Sequence, residues 1–414
     1  MTAAEEKFLE LLKNFIWDGQ SDMDGFSDWQ ELLELASIHH VYPMIYEQVY
    51  RSEQFAALPV QTRQAARKKM ISTVTVQTMR TDAFLKQYER LVKAGVKPLV
   101  IKGLICRELY SRPDYRMSSD EDLLVQREEF AGCDRILLAD GFCSDWKAPQ
   151  AGAQQDLPQE VSYLNRETGV YLEVHTALFS KDENRRGRYA DLNEAFQDVF
   201  ARAQAIEIQG VTVYTMDNTD HFLYLLVHAL KHFLHAGVGI RQLCDMLLMA
   251  RQMEKSIDWD DLKARMKKLG IFQFFMSLIE IGEKYLGFSC DSIRRISAGE
   301  DCMPCEEMLE DILQGGIYGS STMARTHSAN MTLAAAEHRN GIRASLFPGK
   351  EYMRQQFPWL DRFPWLLPFA WGKRALRYGS KINVEKQRGA DRETNSIRMG
   401  KQRVKMMKKY GIVD

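Results

Sequence analysis

Residues 116–125 read RMSSDEDLLV, and residues 170–176 read VYLEVHT. In the first stretch two aspartates flank a glutamate at the entry to an apolar run. Strand side chains alternate between faces, so Asp120 and Asp122 converge while Glu121 points away. Carboxylates held that close repel, and a divalent cation relieves the repulsion by bridging them. In the second stretch Glu173 shares a face with Tyr171 and His175, while Val170, Leu172 and Val174 take the other. A charged residue in an apolar strand is costly unless it is paired or coordinated. Glu173 is therefore the expected third carboxylate of a metal site with Asp120 and Asp122. His175 is expected beside it, as a metal-shell or base candidate.

The segment KPLVIKG (97–103) predicts a short buried strand closed by glycine. Gly103 then opens the helical run LICRELYS, whose free N-terminal amides suit phosphate. Lys102 and Arg116 add charge for an anion, and Ser118 and Ser119 form the approach to Asp120.

Working outward, apolar residues recur at helical spacing over 3–18, 28–50 and 61–95. An amphipathic helix is expected over 127–142, stopping at Gly141. Two hairpins are expected, at 162–178 with its turn at 167–169, and at 206–215. Helical pattern resumes after Asp217 and runs to about 252 with a break near 237–239. A further helix is capped within 256–260 and reaches Gly287. The segment 345–372 carries four prolines and several aromatics, expected to pack as an arm over the helical body. From Trp371 onward 13 Lys or Arg stand against 4 Asp or Glu, a basic tail. The expected divisions are 1–95, 96–216, 217–330 and 331–414.

Bulk properties exclude more than they select. At 45% hydrophobic and 27% charged, the 414-residue chain has the composition of a soluble globular protein. A net charge of -1 gives no overall field for nucleic acid or a membrane surface. Seven scattered cysteines, an odd number, suggest free thiols and a reducing compartment. The acidic, helical N-terminus is unlike a signal peptide, and no apolar run approaches the roughly 18 residues of a span. A cytoplasmic location without membrane contact is the expectation.

Together IKGLICRELYSRPDYRMSSDEDLLV, the Glu173-Val174-His175 strand and the later His228 and His232 resemble an uncharacterised bacterial branch of the nucleotidyltransferase superfamily. The resemblance spans about 30–250. It implies an α+β fold: a small mixed β-sheet nucleotidyltransferase core at 96–216 flanked by N- and C-terminal helical regions. It implies transfer of a nucleoside monophosphate from an NTP to an acceptor, with release of pyrophosphate. Asp120, Asp122 and Glu173 would hold Mg²⁺ (or Mn²⁺), and Gly103 would lie against the phosphates. The acceptor is left open among small molecules, RNA and protein. The sequence departs from the superfamily pattern in three ways. Gly103 is followed by Leu104 rather than a hydroxyl or glycine, the gap from Gly103 to Asp120 is longer, and Glu121 replaces an apolar residue. A binding or regulatory protein on the same fold, with little turnover, is the alternative.

Competing readings are weaker. Metal-dependent glycosyltransferases also use Asp-x-Asp, but after an apolar strand, whereas here MSS precedes the pair and LLV follows. VIKG resembles a kinase lysine strand, yet no glycine-rich loop, HRD or DFG accompanies it. His228, His232 and His235 share a helix face, but no HEXXH or cysteine pair completes a zinc set; a polar face toward the cleft is the simpler reading. Asp245 in RQLCDM is read first as structural and second as closing a polar network with Arg241. The lone CxxC at 302–305 is read as incidental. The basic tail is read first as a solvated end and second as a contact for nucleic acid or another acidic partner.

Overall fold

A computed structural model of the chain describes residues 1–146, 157–179, 192–235, 237–301, 304–315, 353–354, 357–360, 362–373 and 402–412. A five-stranded sheet carries the centre of the fold, in the order β1-β2-β5-β4-β3. Its strands are β1 (Leu99–Val100), β2 (Glu121–Leu124), β3 (Phe142–Cys143), β4 (Glu160–Asn165) and β5 (Tyr171–His175). β2 and β5 run parallel and the other pairs antiparallel, so the sheet is mixed. The first expected hairpin is β4–β5. The second is β6 (Gln204–Ile208) and β7 (Val211–Thr215), a separate two-stranded sheet. Its two-residue turn has positive φ at both Gln209 and Gly210, the backbone that matches strand twist and that glycine adopts without strain.

Five helices precede the sheet: α1 (Ala3–Ile16), α2 (Trp29–Ile38), α3 (Tyr42–Val49), α4 (Glu53–Ala56) and α5 (Val60–Lys93). Within the core region lie α6 (Leu104–Arg107) and α7 (Phe130–Ala139). After it come α8 (Asn218–His235), α9 (Ile240–Gln252), α10 (Trp259–Leu269), α11 (Phe272–Leu286), α12 (Asp291–Ser297) and α13 (Glu306–Gly315). The break near 237–239 separates α8 from α9. The helix expected to reach Gly287 is divided, because Gly270 takes a left-handed cap (φ 67) and ends α10. Asp258 caps α10 by accepting the Asp260 and Asp261 N–H groups. The run expected as a helix from Leu104 closes after one turn.

Two apolar clusters hold the described elements. One face of the sheet packs Leu123, Val161, Tyr163, Leu172 and Val174 against Phe84 and Tyr88 of α5 and Phe130 of α7. The larger cluster joins α1–α3 to α8–α13, so the N-terminal helices and the later helical body share one core. The face of the sheet bearing Glu173 is thereby turned toward α8. Tyr88 also ties the two sheets, donating to the Pro98 carbonyl and accepting the Tyr214 N–H.

Described residues of the aromatic arm form a cluster of their own, Met353, Phe357, Leu360 and Ala370, with Trp365 left 74% exposed. The described end of the basic tail is docked rather than solvated. Arg403 is buried against Asp311 at 3.4 Å, and the Tyr410 hydroxyl donates to the Pro304 carbonyl. Cys302 and Met303 of the CxxC lie outside the described residues, as does most of the tail. Among the described residues no helix is long and apolar enough to cross a membrane.

Candidate active site

β2 and β5 pair in parallel with Asp122 opposite Glu173 and Leu124 opposite His175. The alternation that sends Leu123 and Val174 into the apolar cluster therefore puts Asp122, Glu173 and His175 on the opposite face. Among the described residues these three side chains form a group whose ligand atoms all lie within 4.8 Å of one another. The His175 Nε2 is 3.3 Å from Asp122 Oδ1, and the Lys102 ammonium is 2.9 Å from Asp122 Oδ2. Asp120, expected to share the metal with Asp122 and Glu173, precedes β2 and stands outside this group, with His175 inside it. It lines the neighbouring cleft instead.

Charge is unevenly balanced on this face. Burial pushes the Glu173 carboxyl up to about 7, and the Asp122, Glu160 and Asp120 carboxylates push the same way. Burial alone would raise Asp122 too, but Lys102 and His175 outweigh it and hold that carboxyl well below its usual range. Lys102 is in turn held protonated, chiefly by Asp122, against the cost of its burial. Two carboxylate oxygens and an imidazole nitrogen form a donor set that could hold a divalent metal ion.

The expected phosphate contacts fall differently. Gly103 has φ 43, and a Cβ there would lie 2.1 Å from Glu121 Oε2. That carboxylate fills the turn, accepting the Leu104 N–H at 2.8 Å and pairing with the fully buried Arg107 at 2.6 Å. Glu121 does point away from Asp122, as the alternation requires, but into a buried polar knot rather than solvent. Ser118 belongs to the same knot. Its hydroxyl donates to Glu121 Oε1 and accepts from Arg107, and its N–H donates to Gln77. Arg116 is buried in a forked pair with Asp245, at 2.6 and 3.2 Å, and the Tyr110 hydroxyl donates to the same carboxylate. Asp245 thus partners Arg116. Ser119 is exposed, its hydroxyl 3.4 Å from Asp120. Of the five residues expected at phosphate, Ser118 and Arg116 are committed to structure and the Gly103 turn is closed.

A model of the family described as uncharacterised nucleotidyltransferase matches residues 26–287. The chain belongs to that family. The matched nucleotidyltransferase region runs from just before α2 to the end of α11, taking in the whole sheet, the carboxylate–histidine group and α8–α9. No curated protein and no solved structure matches the chain.

Sequence reading missed Glu160 and Tyr224. Glu160 lies opposite His175 in the β4–β5 register, its Oε2 3.7 Å from His175 Nδ1. Counting outward from the hairpin turn would have found it. Tyr224 is a buried α8 residue whose hydroxyl is held neutral by burial and by Asp122. Its position depends on how α8 crosses the sheet, which no local spacing encodes.

Proposed function

We propose that the chain transfers a nucleoside monophosphate from an NTP to an acceptor oxygen. The acceptor oxygen bonds to the α-phosphorus, the bond from that phosphorus to the α–β bridging oxygen breaks, and pyrophosphate leaves. Asp122 and Glu173 would hold Mg²⁺ or Mn²⁺, with His175 beside them and Asp120 at the mouth of the adjoining cleft. A cation held there would supply Lewis-acid stabilisation of the phosphoryl oxygens and lower the acceptor's pKa. The acceptor proton passes to a carboxylate of this face or to His175. Lys102 steadies charge at Asp122, and the wall of α8 limits water.

The observation that carries this reading is the in-register pairing of Asp122 with Glu173, which brings two carboxylates and His175 within 4.8 Å on one face of a nucleotidyltransferase-family sheet. Incubation with each of the four NTPs and Mg²⁺ or Mn²⁺, across small-molecule, RNA and protein acceptors, tests it. Pyrophosphate release that requires a divalent cation and is lost in Glu173→Gln supports transfer. NTP binding with no release under any of these conditions would replace it with the binding-module reading.

A further inference from the structure

His175 lies between two carboxylates. Its Nε2 is 3.3 Å from Asp122 Oδ1, and its Nδ1 is 3.7 Å from Glu160 Oε2. The ring is buried, and its Nδ1 has no hydrogen-bond partner among the described residues. A buried polar atom without a partner is costly and calls for an explanation. Glu160 stands just beyond bonding distance of it.

The backbone sets this placement. Glu160 pairs directly with His175 across β4 and β5. Side chains opposite each other in such a pair share a face, with Cβ atoms about 5 Å apart. The register is pinned on either side of the pair. The Thr176 N–H donates to the Gln159 carbonyl at 2.8 Å, and the Thr176 hydroxyl donates to the Pro158 carbonyl. Val161 pairs with Val174 inside the apolar cluster. None of these contacts uses the Glu160 side chain, which is 35% exposed. A neutral imidazole carries one N–H, so it can donate to only one of its two flanking carboxylates. With a cation between Asp122 and Glu173, the Nε2 lone pair must face that cation. The single N–H then belongs on Nδ1, where Glu160 is the carboxylate at hand. The exchange keeps the ring neutral: Nε2 gives a proton to solvent, and Nδ1 takes one from it.

We propose that Glu160 is a positioning residue of this site, accepting the Nδ1–H of His175 and so turning the Nε2 lone pair toward a divalent cation between Asp122 and Glu173. A small rotation of the exposed glutamate closes the 3.7 Å gap. The assignment rests on the cation-dependent transfer reading and adds a residue to that same site.

Calorimetric binding of Mn²⁺ to the full-length chain, without nucleotide, tests it through a double-mutant cycle. Glu160→Ala is expected to weaken Mn²⁺ binding by about 10–100-fold, the usual effect of removing the carboxylate behind a ligating histidine. Glu160→Gln keeps an acceptor without the charge and should fall between the two. On a His175→Gln background, Glu160→Ala is expected to change the affinity by less than about twofold. A loss of full size on that background would mean that Glu160 acts by its charge alone or as a ligand itself, and would overturn the proposal. If His175→Gln fails to fold, nitrogen NMR of the His175 ring under saturating Mg²⁺ decides. An Nδ1–H tautomer that is lost in Glu160→Ala upholds the proposal, and an Nε2–H tautomer in the natural chain overturns it. No Mn²⁺ binding by the natural chain, or binding unchanged in Glu160→Ala, would also overturn it. Glu160-dependent Mn²⁺ binding with no pyrophosphate release from any NTP would uphold the role of Glu160 and defeat the transfer reading. Cation-dependent release with Mn²⁺ affinity unchanged in Glu160→Ala would do the reverse.

Discussion

Glu121 and Asp122 are neighbours on one strand, both carboxylates, both buried, and they face opposite ways into opposite kinds of surroundings. Behind β2, Glu121 meets a full set of partners: Arg107, the Ser118 hydroxyl and the Leu104 amide. In front, Asp122 holds Lys102 and His175, and burial together with the Asp122, Glu160 and Asp120 carboxylates raises Glu173 to about 7. A satisfied carboxylate fixes structure, and an under-compensated group of them is prepared to receive a cation. The contrast separates a structural acid from those proposed to hold a cation more clearly than residue type does.

The contrast can be broken from the rear first. Glu121→Gln leaves the Arg107 charge buried without its counter-ion, and is expected to cost about 3–5 kcal/mol of stability, read from a urea midpoint. A loss under about 1 kcal/mol would mean that the rear knot is not what holds the β2–α6 turn.

A pH series sharpens the comparison next. His221 of α8 is buried, and burial pulls its pKa down to about 4 although a bond to the Ile101 backbone opposes the fall. The folded value lies below the unfolded value near 6.5, so this group's contribution is complete above pH 6.5. It is lost as pH falls toward 4, with a total on the order of 3 kcal/mol. His221→Gln is expected to flatten that acid limb in chemical denaturation between pH 6.5 and 4. An unchanged slope would remove His221 as its source. The smallest effect belongs to Gly103→Ala. The added Cβ meets the Glu121 carboxylate at positive φ and should cost about 2 kcal/mol, read as a lowered thermal midpoint.

Legibility in the sequence followed the range of the interaction. The front face was readable because its logic is local: alternation about Asp122, alternation about Glu173, and a hairpin turn that sets the second strand. The carboxylates, the mixed α+β core and both hairpins followed from that. His175, expected beside the carboxylates, lies with Asp122 and Glu173 in the group that could hold a metal ion, while Asp120 lies outside it. The rear knot was not readable. Glu121 depends on Arg107 through a turn whose geometry only the fold supplies, and Arg116 finds Asp245 across 129 positions of chain. The shared core of α1–α3 with α8–α13 was hidden for the same reason, since amphipathic spacing predicts a buried face but not its partner. Gly270 was missed because one glycine inside a helical pattern is often tolerated, and here it takes a left-handed cap.

The most direct test sets the two faces side by side: pyrophosphate release from NTP by Asp122→Asn and by Glu121→Gln, each at a temperature where it remains folded by circular dichroism. Asp122→Asn is expected to lose about 100-fold or more while keeping its fold, the result of removing a metal ligand. Glu121→Gln should keep release per folded molecule to within about threefold while losing stability. Release that survives in folded Asp122→Asn, or that falls equally in both variants, would contradict this division of roles.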